Sequence, residues 1–204
     1  NHVTLLLPIT EIYFQQNVIT QVASIILMDG IILLSIIAFF LELSTKKNVN
    51  LFYFIKNLFL NPFILSIIIG LLFLLLNFNI DQTPIEYTLS KLAACVSPVG
   101  LFAIGIILSF YTKNVINKLS VSISVLKLVI SPIILLLIGL VIFNAGLPAE
   151  IPGAFFVSVA PCGVTSIVLC AAYNVSPENI IKAIFVSTIA SIGTIFFAIK
   201  YLTL

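Results

Sequence analysis

Residues 157–166 read Val157-Ser158-Val159-Ala160-Pro161-Cys162-Gly163-Val164-Thr165-Ser166, in the middle of an apolar run from about Ile151 to Tyr173. A run of that length can cross a bilayer as a helix, which takes about 20 mostly apolar residues. Proline inside such a helix removes one main-chain hydrogen bond and clashes with the preceding turn, and lipid offers no water to satisfy the freed groups. The stretch therefore reads in two ways, as a kinked but continuous packing helix or as a helix broken in mid-membrane. The polarity of Pro161-Cys162-Gly163-Val164-Thr165-Ser166 favours the break. A broken membrane helix leaves amides and carbonyls exposed and points half-helix ends at one spot, an arrangement suited to holding a small charged solute.

The rest of the chain fits a membrane setting. Of 204 residues, 61% are apolar and 8% charged, and the mean hydropathy is +1.29. An ordinary soluble domain carries roughly 25% charged residues, and the 9 lysines and 7 acids here cannot cover a soluble surface. A soluble enzyme, a disordered scaffold and a nucleic-acid binder are excluded; the net charge of +2 forms no basic face for a polyanion. Cys95, Cys162 and Cys170 are odd in number and lie in apolar runs, so no disulfide framework is implied. The single imidazole, His2, rules out a multi-histidine metal site, and no cofactor is expected. The first residue is Asn1, and the opening lacks the marks of a signal peptide, which suggests a piece beginning inside a longer protein.

Apolar runs separated by polar or proline-containing breaks predict one partial span, Asn1 to about Phe14, and six full ones. The full spans are Val18–Leu41, Pro62–Phe78, about Leu92–Phe110, Leu119–Phe143, Ile151–Tyr173 and Ile180–Leu202. Ser44–Asn50 is a polar loop, and Leu51–Leu60 looks like an interfacial helix. The third full span is entered through the polar segment Asp81–Lys91 and interrupted at Ser97-Pro98 and Gly105, where close helix packing is favoured over solute contact. Placing Lys46, Lys47 and Lys56 in the cytoplasm puts Lys113, Lys118, Lys127 and Lys182 on the same side, and the C-terminus outside. Arginine is absent, so an anion has to be held by helix ends, amides, hydroxyls or lysine.

Two further places draw attention. Asn1-His2-Val3-Thr4-Leu5-Leu6-Leu7-Pro8 is a second apolar piece with a polar start and an internal proline, which suggests corresponding sites in two repeats. Asp29 lies deep in a long apolar span, where a bare charge costs several kcal/mol. It is either a functional carboxylate or a neutral side chain in an interhelical hydrogen bond. An intramembrane protease or transferase needs a nucleophile elbow, an aspartate pair or a histidine-rich motif, and none is present.

At these same residues the sequence resembles the auxin efflux carrier family, which includes the plant PIN carriers and bacterial permeases associated with malate and related organic acids. The stretch from Ala160-Pro161-Cys162-Gly163-Val164-Thr165-Ser166 through Tyr173-Asn174-Val175 is similar to the family's ninth and tenth helices. Asn1 to Pro8 resembles its fourth helix, Asn61-Pro62 with Gly70 its sixth, and Ser97-Pro98 through Gly105 its seventh. The resemblance implies an all-α polytopic membrane protein with two inverted five-helix repeats. In that ten-helix fold the fourth and ninth helices cross, broken, at the substrate site, and this chain starts in the fourth. The expected division is 1–43 for the end of the first repeat, 44–60 for the loop and interfacial helix, and 61–204 for the second repeat.

Carried over position by position, Asn1 and Pro8 match the first crossover, Pro161, Cys162 and Gly163 the second, and Asp29 a supporting place beside the site. Leu7 stands where many members have glycine. The expected activity is secondary transport of a small organic anion, such as a mono- or dicarboxylate, by alternating access, with Thr165 and Ser166 closing the site. A sodium or proton antiporter using Asp29 is the second reading, and a receptor that binds without flux the third. The expected partners are the carboxylate solute and the lipid bilayer; carriers of this kind often form homodimers, and no residue here specifies one.

Overall fold

The computed structural model of the chain describes residues 1–45, 55, 56, 58–111, 115–143 and 150–203. Among these, every regular element is helical. A π-turn, His2–Leu6, leads into α1, Leu7–Tyr13. α2, Gln16–Met28, passes through a π-turn, Asp29–Leu33, into α3, Leu34–Thr45. α4 is Pro62–Leu75 and α5 Pro84–Ser109. α6, Lys118–Val125, continues through a π-turn, Leu126–Ile130, into α7, Ser131–Phe143. α8 is Pro152–Ser158, α9 Thr165–Ala172 and α10 Glu178–Thr203.

Four helical runs are long and apolar enough to cross a membrane: Gln16–Ser44, Pro84–Ser109, Lys118–Ile142 and Glu178–Leu202. With them the chain is an all-α polytopic membrane protein. Leu74, Leu75, Phe110 and Val141 are each more than 70% exposed, which in a membrane is contact with lipid rather than with water.

Two expected boundaries move. α5 starts at Pro84, inside the segment expected to be a polar entry. The reason is local: Thr83 Oγ1 accepts from the Glu86 amide at 3.3 Å, Pro84 takes the first helical position, and the Glu86 carboxylate accepts from the Gln82 amide at 2.5 Å. Thr83-Pro84-Ile85-Glu86 is thus a helix start, with a capping hydroxyl and an acid in the first turn. The interruptions expected at Ser97-Pro98 and Gly105 do not occur, because α5 runs through both. The interfacial helix expected at Leu51–Leu60 falls largely outside the described residues.

The chain divides into two compact units, residues 1–25 with 96–204 and residues 26–95. In the first, α10 packs most extensively on α6. Small buried residues recur every fourth position on both helices, Ser120 and Ser124 on one and Ala183, Ser187 and Ser191 on the other. That spacing brings two helix backbones close where lipid supplies no hydrophobic drive, and Ser124 Oγ reaches the Ala183 carbonyl at 3.5 Å. Phe156, fully buried, packs its ring 4.9 Å from that of Phe14. In the second unit the π-turn at Asp29–Leu33 packs against α4.

Candidate functional site

Helix α8 stops where the sequence forces it to. Pro161 has no N–H to give the Val157 carbonyl, and its ring drives Ala160 out of the helical region. The chain leaves helical geometry after Ser158 and resumes it at Thr165, so of the two readings of this stretch the broken helix is the observed one.

Most main-chain groups at the break are held by other elements. The Cys162 amide donates to Ser187 Oγ on α10 at 3.1 Å, and Thr194 Oγ1, two turns further along, donates to the Val159 carbonyl at 3.0 Å. The main-chain nitrogen of Asn1 donates to the Pro161 carbonyl at 2.6 Å. Lys127 Nζ, on the π-turn between α6 and α7, lies 3.4 Å from both the Val157 and the Ser158 carbonyl. At the other end of α8, the Gly153 amide donates at 3.0 Å to Gln21 Oε1 from α2. A Cβ at Gly153 would come within 2.5 Å of Gln21 Cβ and 3.3 Å of the Val22 main-chain nitrogen, so only glycine fits.

The start of α9 is different. Its cap residue, Val164, supplies no side-chain hydrogen bond. The amides of Gly163, Val164 and Thr165 make no hydrogen bond among the described residues, and neither do the hydroxyls of Thr165 and Ser166. These donors gather at the positive end of a helix dipole, an arrangement that attracts an anion.

The expected residues are placed as follows. Asn1, Pro161, Cys162 and Gly163 come together: Asn1 is buried against Pro161, and a Cβ on Gly163 would stand 3.6 Å from the Asn1 nitrogen. Thr4 Oγ1 donates to Asn1 Oδ1, fixing that side chain. Thr165 is exposed and Ser166 half-buried, both in the first turn of α9. Pro8 is one step removed. It follows the π-turn directly, with no unwound stretch, about 10 Å along the helix from Asn1. The interruption there is a change of helical register rather than a gap. Asp29 opens the π-turn of the second unit and is half-buried.

Sequence reasoning missed Ser187, Thr194, Lys127 and Gln21. The hydroxyls had a legible signal, since Ser187, Ser191 and Thr194 share one face of an apolar helix at i, i+4 and i+7. Beside them the Thr188 hydroxyl oxygen is buried with no hydrogen-bond partner among the described residues. Lys127 was counted with the lysines of one membrane face, yet it is about 14 Å into the span that begins at Lys118. Among the described residues, no group of three or more His, Cys, Asp or Glu is placed to hold a metal ion.

Residues 8–199 match a family described as membrane transport protein, so Pro8 opens the matched range and Asn1 precedes it. No curated protein and no solved structure matches the chain.

Proposed function

The chain belongs to the membrane transport protein family, that of the auxin efflux carriers, and from that premise we propose that it is a secondary carrier of small organic anions. The solute is a mono- or dicarboxylate, and it is moved by alternating access about the break at Ala160–Val164. One observation carries this reading: the start of α9 gathers three main-chain amides and two hydroxyls without partners among the described residues, in a chain without arginine. A carboxylate seated there takes hydrogen bonds from these amides and hydroxyls, and the helix end contributes up to about 2 kcal/mol when partly buried. Asn1, Pro161, Cys162 and Gly163 form the wall of that seat, and Pro161 holds it open together with Ser187, Thr194 and Asn1, which engage the main chain on either side of it. Pro8 acts behind it by setting the register of the helix that carries Asn1, and the role of polar support assigned to Asp29 rests on the family resemblance alone.

The test is uptake of labelled malate and a panel of other organic acids into proteoliposomes, with membrane potential and pH gradient imposed separately. Saturable flux of at least one acid is expected. Sodium or proton exchange with no acid flux would overturn the proposal in favour of a cation antiporter, and binding without flux would make the protein a receptor.

A further inference from the structure

The two ends of the broken helix are treated unequally. The start of α9 keeps open donors, whereas the end of α8 is closed by groups of the protein itself. Its Val159 carbonyl receives the Thr194 hydroxyl, and its Val157 and Ser158 carbonyls face Lys127 Nζ at 3.4 Å each. A helix C-terminus carries about half a negative charge, and broken-helix carriers use such ends, with their unwound carbonyls, to coordinate a travelling cation. Here a side chain already stands in that place.

We propose that the Lys127 ammonium is a fixed cation of the transport site. It occupies the position at the end of α8 that a sodium ion takes in cation-coupled carriers, and it offsets the carbonyl charge so that the adjoining α9 end presents net positive character to an anion.

Three features beyond the contact itself support this. Lys127 lies within a membrane span, about 14 Å from its start, where an ionisable side chain is costly unless it has a function. It sits in the π-turn Leu126–Ile130, whose extra residue re-aims side chains, and such turns concentrate at functional sites. Pro132 follows the turn as Pro8 follows the turn at His2–Leu6, and in both the residue before the proline donates five positions back, Ser131 to Leu126 and Leu7 to His2. The proline thus keeps the wide turn from relaxing to an ordinary one, because it has no N–H to offer. Lys127 is a positioning residue in this scheme, acting on the solute through the end of α8.

The proposal rests on the carrier reading for its meaning but is tested apart from it. Purified Lys127→Ala protein is unfolded thermally in methylammonium, sodium or choline chloride at equal ionic strength, beside the parent protein. The expected result is a parent midpoint indifferent to the cation. The variant's midpoint should be lower by about 5 °C and rise saturably with methylammonium, but not with choline, which is too large for the vacated place. Equal midpoints of the variant in methylammonium and choline would overturn the proposal.

Should Lys127→Ala not fold, Lys127→Gln keeps a donor of similar reach without the charge. Its uptake of the transported acid should fall by about tenfold at sodium-free baseline. Unchanged uptake by the glutamine variant would overturn the fixed-cation role. If the parent protein carries no organic acid, the carrier reading fails, and the cation dependence of the glutamine variant's own melting midpoint, expected for sodium over choline, decides on Lys127.

Discussion

Ser97 Oγ donates at 2.6 Å to the carbonyl of Thr4, the group that an ordinary helix would have paired with the N–H of residue 8 and that Pro8 leaves open. A hydroxyl of α5 thereby makes good what a proline takes away from the helix that carries Asn1. Gly100, one turn further on, completes the approach: a Cβ there would fall 2.7 Å from Thr4 Cγ2. Close packing is thus the role that Ser97 plays, as expected, although α5 is not interrupted. Gly105, by contrast, has nothing among the described residues within 4 Å of its missing Cβ, so no close approach is seen there.

Ser97→Ala should destabilise the protein by about 1 kcal/mol, the usual worth of a hydrogen bond that leaves a buried acceptor unmet. In a Pro8→Ala background the helix supplies its own N–H to Thr4, so the same substitution should cost markedly less. Thermal unfolding of the four proteins gives the coupling directly, and strict additivity would dissociate Ser97 from Pro8.

Gly153→Ala should cost about 1–3 kcal/mol, because the new methyl group meets Gln21 Cβ and the α2 backbone, which cannot both give way. Gly105→Ala should be neutral or slightly stabilising, since the site is open and alanine is the better helix former. A melting comparison of the two variants checks the contrast.

Pro161→Ala should lower transport by about tenfold while leaving membrane insertion unchanged. The break is over-determined by Ser187, Thr194 and Asn1, so the loss arises from a more mobile junction rather than from a healed helix. Normal transport by correctly inserted Pro161→Ala protein would sink the placement of the site at this junction.

Ser187→Ala leaves the Cys162 amide without its acceptor, with an expected cost of about 1–3 kcal/mol. Hydrogen exchange at the segment 159–163 should accelerate in this variant more than in Ser191→Ala, whose hydroxyl donates within its own helix, to the Thr188 carbonyl. Equal acceleration in both would show that α10 loosens as a whole.

Asp29→Asn separates the two roles open to that side chain. If it is a polar support, potential-driven acid uptake should persist at a reduced rate with the same pH dependence; if it carries a coupling proton, the response to a pH gradient should vanish. Uptake under each gradient alone distinguishes them.

The sequence by itself determined the membrane class and the all-helical fold, and it favoured the break at Pro161. Each follows from rules that act within a short window: sixteen charges among 204 residues, apolar runs of spanning length, and a proline that cannot donate. Prolines alone do not settle continuity, however. Pro98 sits inside an unbroken α5, Pro8 and Pro132 follow wide turns, and Pro161 ends α8. What separates them is which partner, distant in sequence, receives or supplies the freed hydrogen bonds: Ser97 for Thr4, Ser187 for Cys162, Thr194 for Val159. Only the tertiary structure could choose those partners, and only it could carry Lys127 from an ordinary membrane-face lysine to the end of a helix thirty residues away. A main-chain group left open in lipid must find a donor or acceptor somewhere, and neither the period of a helix nor the count of its charges says where.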